Sequence, residues 1–294
     1  MVAGVRRLRW FSLPTVAHCA RQYPWPQYLA GCGAAAVLQA SADSGLLLLD
    51  APPSRATLAV GVSAYQIPRY PGAHNDRQFV LPAVEWLGAS GLFASTNLGL
   101  GWNLSDRKDV QWGVRLWPQL ARRQGDGARL QGLPEIPARL ERSLFANWEP
   151  VEFAVLQSAV NTGLGPDTRG ILAEAGVTLG APLGSQVLAG VTIGTSYANG
   201  PYRQGLFGVM PAQAAGAGNA AIPGLPVMRQ PYALGGGWQN TQAIVSAEWT
   251  VAPAWRLDLH WERQRLLGAA AQSPLIDTRW QSSLLLTLWH DLAY

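Results

Sequence analysis

From residue 57 to its last residue the chain alternates apolar and polar side chains. The runs are about ten residues long, the length of a tilted membrane-spanning β-strand. In Thr241–Val251, Thr241, Ala243, Val245, Ala247, Trp249 and Val251 share one face, with Gln242, Ser246, Glu248 and Thr250 on the other and Ile244 the single exception. Leu92, Ala94, Thr96, Leu98, Leu100 and Trp102 repeat the pattern, as do Val187, Ala189, Val191, Ile193 and Tyr197. In a fourth run Trp255, Leu257, Leu259 and Trp261 alternate with Arg256, Asp258, His260 and Glu262. Successive strand side chains point to opposite faces, so these runs present one apolar and one polar wall. The same residues scatter around a 3.6-residue wheel, which excludes amphipathic helices.

Composition decides which medium meets the apolar wall. Hydrophobic residues make up 48% and charged residues 14%, where a soluble domain carries roughly a quarter charged. No apolar run reaches the 18 or so residues of a spanning helix, and the best candidate, Leu29–Ala42, is interrupted by Gly31, Gly33 and Gln39. The expected fold is therefore all-β, an antiparallel transmembrane β-barrel of a Gram-negative outer membrane over residues 57–294, facing lipid outside and an enclosed interior within.

Ten segments carry the alternation: 57–66, 78–88, 91–104, 109–121, 148–161, 169–181, 185–199, 238–251, 254–267 and 279–294. An even count returns both chain ends to the periplasm. The turns near 88–91, 181–185 and 251–254 are then short and periplasmic, while 67–77, 162–168, 200–237 and 268–278 are longer outer loops. Residues 122–147 break the scheme. They read as a periplasmic excursion with a short helix over 137–145, or as two further strands that would make twelve. The loop 200–237, with Tyr202, Phe207 and Tyr232, is expected to fold inward as a cap.

Residues 1–42 read as a signal segment. Arg6, Arg7, Arg9 and Arg21 precede a weak apolar core at 29–38, and Ala40-Ser41-Ala42 fits an A-x-A cleavage site. Residues 43–56 would then be a short periplasmic segment. Both cysteines, Cys19 and Cys32, fall before that site, leaving the expected mature chain without a disulfide framework or thiol metal site. Trp86, Trp102, Trp117, Trp249, Trp255 and Trp280 sit toward strand ends, as aromatic girdles do. The final strand puts Leu284, Leu286, Leu288, His290, Leu292 and Tyr294 on one face. Tyr294 thereby resembles the terminal aromatic signal read by the outer-membrane assembly machinery.

Several motifs point to a family. Gly61-Val-Ser-Ala-Tyr-Gln-Ile-Pro-Arg-Tyr-Pro-Gly72, Asn97-Leu-Gly-Leu-Gly-Trp102 with Asp106-Arg107, and Arg265-Leu-Leu-Gly-Ala-Ala-Ala-Gln-Ser-Pro-Leu275 resemble the MltA-interacting protein family, also called MipA/OmpV. Ala269 departs from the acidic residue common after that glycine. The resemblance covers roughly residues 57–294. It implies an outer-membrane barrel whose founding member is a scaffold between a murein lytic transglycosylase and a peptidoglycan synthase, and it brings no catalytic residues.

The chemistry-bearing residues suggest no enzyme. His18, His74, His260 and His290 have no metal-ligand spacing, and no nucleophile, base and orienting group can be assembled. The glycine pairs do not lie between a strand and a helix start, so no phosphate-binding loop is expected. No cofactor or metal is expected, and the absence of an arginine stripe argues against nucleic acid. The inward wall is where charge concentrates. Glu85, Glu152, Glu174, Glu248, Asp258, Glu262 and Asp291 face Arg115 and Arg256, with His260 among them. Buried charges must pair or stay wet, so these residues are expected to form a polar network across a narrow lumen. Two functions follow: a scaffold or interaction barrel, or a narrow small-solute channel or ligand-binding barrel.

Overall fold

The computed structural model describes residues 46–164, 170–215 and 230–292. The expected cleavage site and Tyr294 lie outside them. Twelve antiparallel strands close into one barrel in sequence order: β1 (Thr57–Pro68), β2 (Asp76–Leu87), β3 (Leu92–Ser95), β4 (Gly99–Asn103), β5 (Val110–Gln119), β6 (Arg139–Val151), β7 (Ala154–Gly163), β8 (Ile171–Leu183), β9 (Val187–Ala198), β10 (Gly237–Ala252), β11 (Trp255–Leu266) and β12 (Trp280–Leu292). β1 pairs with β12 from Leu58↔Leu292 to Gln66↔Leu284, so no edge is left at the chain ends. Two helices, α1 (Gly200–Phe207) and α2 (Pro211–Ala215), lie in the longest loop.

The wall is apolar outside and polar inside, the reverse of a soluble protein. Val80 is 65% and Leu144 62% exposed, whereas inward Ser63 and Asn161 are fully buried. Exposed tryptophans ring both ends: Trp86, Trp102, Trp112, Trp148, Trp249 and Trp255 at the end with short turns, Trp238 and Trp280 at the other. Trp117 is not among them. It points inward, buried beneath the guanidinium of Arg115 at 4.7 Å.

The two strands beyond ten arise in different places. Residues 91–104 are a hairpin, β3 and β4, turning at 96–98. The excursion expected at 122–147 instead contains β6, paired with β5 from Val110↔Trp148 to Gln119↔Arg139 and with β7. Leu140, Arg142, Leu144, Ala146 and Trp148 face outward and Glu141, Ser143, Phe145 and Asn147 inward, so the 137–145 helix is not formed. One consequence is topological. Connection 120–138 lies at the end opposite the short turns, among the other long loops, where Arg129 pairs with Asp277 at 2.7 Å. It is not a segment on the side of the chain ends.

Those loops seal their end of the barrel. Tyr70, Leu130, Leu133, Val209 and Leu275 form one buried cluster, and Phe207, Leu234, Leu266, Ala270 and Ile276 a second. α1 starts there because the Asn199 side chain accepts from the Tyr202 N–H and Pro201 occupies the first turn. Tyr202 and Phe207 are buried in the cap as expected, although 69–75, 120–138 and 267–279 contribute equally. Arg122 donates to the Leu206 carbonyl, and Tyr70 donates its phenol hydrogen to Asp277. Burial, and then the neighbouring Asp277 carboxylate, hold that phenol above its ordinary pKa, so it remains a donor.

At the opposite end, residues 46–53 run into the lumen. The Leu47 carbonyl accepts from Asn147 and the Asp50 carbonyl from Asn103. Leu47 packs with Phe93 and Phe145. The turn here needs a glycine at position 91, with φ +84° and an added Cβ only 2.0 Å from the Asn103 carbonyl oxygen.

Candidate functional site

The inward charges separate into two groups at different heights. Near the short-turn end, Arg256 is the hub of four carboxylates on four strands. Glu85 of β2 lies at 3.0 Å, Asp258 of β11 at 3.5 Å, and Glu248 of β10 and Asp291 of β12 at 3.7 Å each. Asp258 also accepts from the indole N–H of Trp289, whose ring lies under Arg256. Period-two phasing puts all five in the lumen, and barrel closure through β1 brings β2 within reach of β10–β12. Four carboxylates to one guanidinium leave a formal excess of three negative charges.

Toward the loop end, Arg115 of β5 is buried within electrostatic reach of Glu174 and Glu141. Glu141 pairs with Arg139 at 2.6 Å, and Glu174 accepts from Asn161 at 2.7 Å. Arg139, Glu141 and Asn161 were not anticipated. The first two belong to β6, whose alternation was readable once 139–151 is phased as a strand. Charge here balances, two arginines against two glutamates.

Of the expected lumen residues, Glu85, Arg115, Glu174, Glu248, Arg256, Asp258, His260, Glu262 and Asp291 all lie on inward positions. Glu152 does not. It is exposed in the two-residue turn between β6 and β7, because that hairpin turns inside the expected strand 148–161.

A cavity of about 320 Å³ runs from the short-turn mouth, alongside residues 46–53 and past the Arg256 cluster, as far as Arg115. Glu85, Glu248, Arg256, Asp258, His260 and Glu262 supply its polar wall. Leu46, Leu47, Phe93, Leu98, Ile244 and Leu285 supply the apolar one. Among the described residues no group of three or more His, Cys, Asp or Glu could hold a metal ion, and no helix is long and apolar enough to cross a membrane.

A closed antiparallel barrel with a lipid-compatible exterior, aromatic rings and a charged interior is an outer-membrane β-barrel. Residues 60–290 match the family described as MltA-interacting protein MipA; the chain belongs to that family. Among solved structures it is similar to an outer-membrane channel from Pseudomonas putida F1, at 8% identity and TM-score 0.40, covering 86% of this chain and 100% of that one. It is also similar to the NanC porin, at 8% identity and TM-score 0.37, covering 80% and 100%. The CymD monoaromatic hydrocarbon channel aligns at 8% identity and TM-score 0.37, covering 82% and 89%. No curated protein matches the chain.

Proposed function

We propose that this protein is a non-catalytic ligand-binding barrel of the outer membrane, closed at rest, that takes up a small amphipathic cation. The observation that carries the reading is the cavity of about 320 Å³, entered from the short-turn end by residues 46–53, apolar on one side and carrying excess carboxylate on the other. An ammonium would meet the Arg256-centred carboxylates where they outnumber their partner, and an aromatic or aliphatic body would meet Leu47, Phe93 and Leu285. Opposite charge in a partly desolvated site favours such a ligand over its neutral and anionic analogues. Titrating the refolded barrel with naphthylmethylammonium, naphthalenemethanol and naphthalene acetate is expected to rank them in that order by fluorescence. A Glu248→Gln, Asp258→Asn double variant, which neutralises two carboxylates of the cavity wall, should weaken the cation at least several-fold. Equal affinities, or no binding at all, would sink the reading.

The family description supports a second reading, a scaffold for a murein transglycosylase and a peptidoglycan synthase. Residues 122–147 offer it no periplasmic docking segment, since 120–138 sits with the long loops and 139–151 in the wall. Crosslinking in cells that captures murein enzymes through the short turns would support it.

Orientation is testable in the same system. Gly125 is exposed, and an added Cβ there meets nothing within 4 Å. In a Cys19→Ser, Cys32→Ser background, Gly125→Cys is expected to react with an impermeant maleimide on intact cells. Ser185→Cys, in the turn between β8 and β9, should react only after the outer membrane is permeabilised. The reverse pattern would invert the barrel.

A further inference from the structure

The barrel wall is interrupted on one side. β2 pairs with β1 along its whole length, Asp76 to Leu87, but with β3 only from Glu85 to Leu87. β5 pairs with β6 from Val110 to Gln119, but with β4 only from Gly113 to Leu116. Beyond the short β3–β4 hairpin, residues 76–83 of β2 and 117–119 of β5 have no ladder partner toward each other among the described residues. The gap is framed above by connection 120–138, whose Asp126 reaches Arg77 of β2 at 3.5 Å.

Its sill leans inward. Asn97 at the hairpin tip accepts from Tyr65 at 2.8 Å and donates to Thr287 of β12 at 3.0 Å, across the inside of β1. The hairpin tip therefore leaves the plane of the wall.

Two prolines occupy the edges. The Val84 carbonyl accepts from the Thr96 N–H, so Val84 aims its peptide groups at the hairpin. By strand alternation Pro82 faces the same way. On β5 the Trp112 carbonyl accepts from Leu104, so Pro118 likewise faces the gap. At both positions an N–H would have pointed unpaired toward lipid, a cost of several kcal/mol in hydrocarbon, and both carry none. Proline is tolerated in sheets where its missing donor faces an open edge. Outside, the lower part of the edges is apolar, with Val80, Pro82 and Leu116 exposed, while Asp76 and Gln78 stand above it on β2. Behind the gap stands an apolar cluster of Tyr65, Ile67, Phe79, Leu81, Leu120 and Leu285. Leu285 of that cluster also lines the cavity, as do Asn97 and Leu98 of the sill.

We propose that this gap between β2 and β5 is a side entrance, through which an apolar or amphipathic molecule passes between the lipid leaflet on the loop side and the lumen cavity. The proposal rests on the ligand-binding reading for the molecule's destination, while the opening itself stands on strand register alone. With the loop clusters packed over one end and residues 46–53 lying in the other, the wall supplies a route of its own. Lipid supplies the occupant because the lower frame, at Val80, Pro82 and Leu116, and the cluster behind it are apolar.

Two arms separate the claims. In the cysteine-free background, a bimane on Phe79→Cys, an inward position, is expected to be quenched by brominated phospholipid as strongly as one on outward Val80→Cys. A bimane on Ser246→Cys, inward on β10, should keep its emission. Protection of Phe79→Cys equal to that of Ser246→Cys overturns the entrance, whether or not a ligand binds. The second arm modifies Leu81→Cys with pyrenylmaleimide after folding and follows naphthylmethylammonium by stopped flow. Association from the bilayer should slow several-fold while heat-modifiability of the barrel is retained. An unchanged rate overturns the route. Absent binding by unmodified protein sinks the ligand reading and leaves the quenching arm to decide the entrance.

Discussion

Replacing Arg256 by Met is expected to destabilise the refolded barrel by about 3–5 kcal/mol, the usual consequence of removing one partner from a buried charge cluster. Arg256 holds carboxylates of β2, β10, β11 and β12, so its loss leaves four like charges converging on one point of the lumen. Met preserves much of the side-chain volume above Trp289, which confines the effect to charge. The measurement is a urea midpoint followed by the shift between folded and heat-denatured mobility. Adding Glu85→Gln should recover part of the loss, since the closest pair would no longer be a charge without its partner. If Arg256→Met unfolds with wild-type stability, the cluster is solvated and does not brace the lumen.

The second large effect falls on barrel closure. Gly61 of β1 faces inward opposite Trp289 of β12, and an added Cβ would lie 2.1 Å from the Leu288 carbonyl oxygen and 3.1 Å from the Trp289 ring. That carbonyl belongs to the strand which meets β1 to seal the barrel. Gly61→Ala is therefore expected to cost roughly 1–3 kcal/mol as overpacking against atoms with little room to yield, and to lower the yield of closed, heat-modifiable barrel. Gly190→Ala is the matched control, because its added Cβ has no neighbour nearer than 3.4 Å. Equal behaviour of the two variants would mean that the seam between β1 and β12 is loose.

Much of this fold is written in the alternation. The outward faces of β9, β10, β11 and β12 follow directly from their period of two, and with them the inward set around Arg256. The hairpin β3–β4 was hidden because its turn preserves the phase. Leu92 and Ala94 before it and Leu100 and Trp102 after it keep the same parity, so two short strands read as one. Gly99, at φ +87°, marks the bend. β6 was obscured differently: Pro137 and the charges of Arg139, Glu141 and Arg142 make its loop-end half look helical. Which inward charges meet could not be read at all, since contact across a lumen depends on register summed around twelve strands. Glu248 and Asp291 are far apart in the chain, yet both lie 3.7 Å from Arg256.

The account turns on a lumen that does not conduct, with the loop clusters around Tyr70 and Phe207 packed over one end and residues 46–53 lying in the other. Planar-bilayer recording of the refolded barrel tests this most directly. A bilayer carrying inserted protein, verified by heat-modifiability of the same sample, is expected to show no conductance steps above baseline. Stable single-channel steps from the unmodified chain would mean that water and ions cross from end to end, and that the interior is a pore rather than a closed binding chamber.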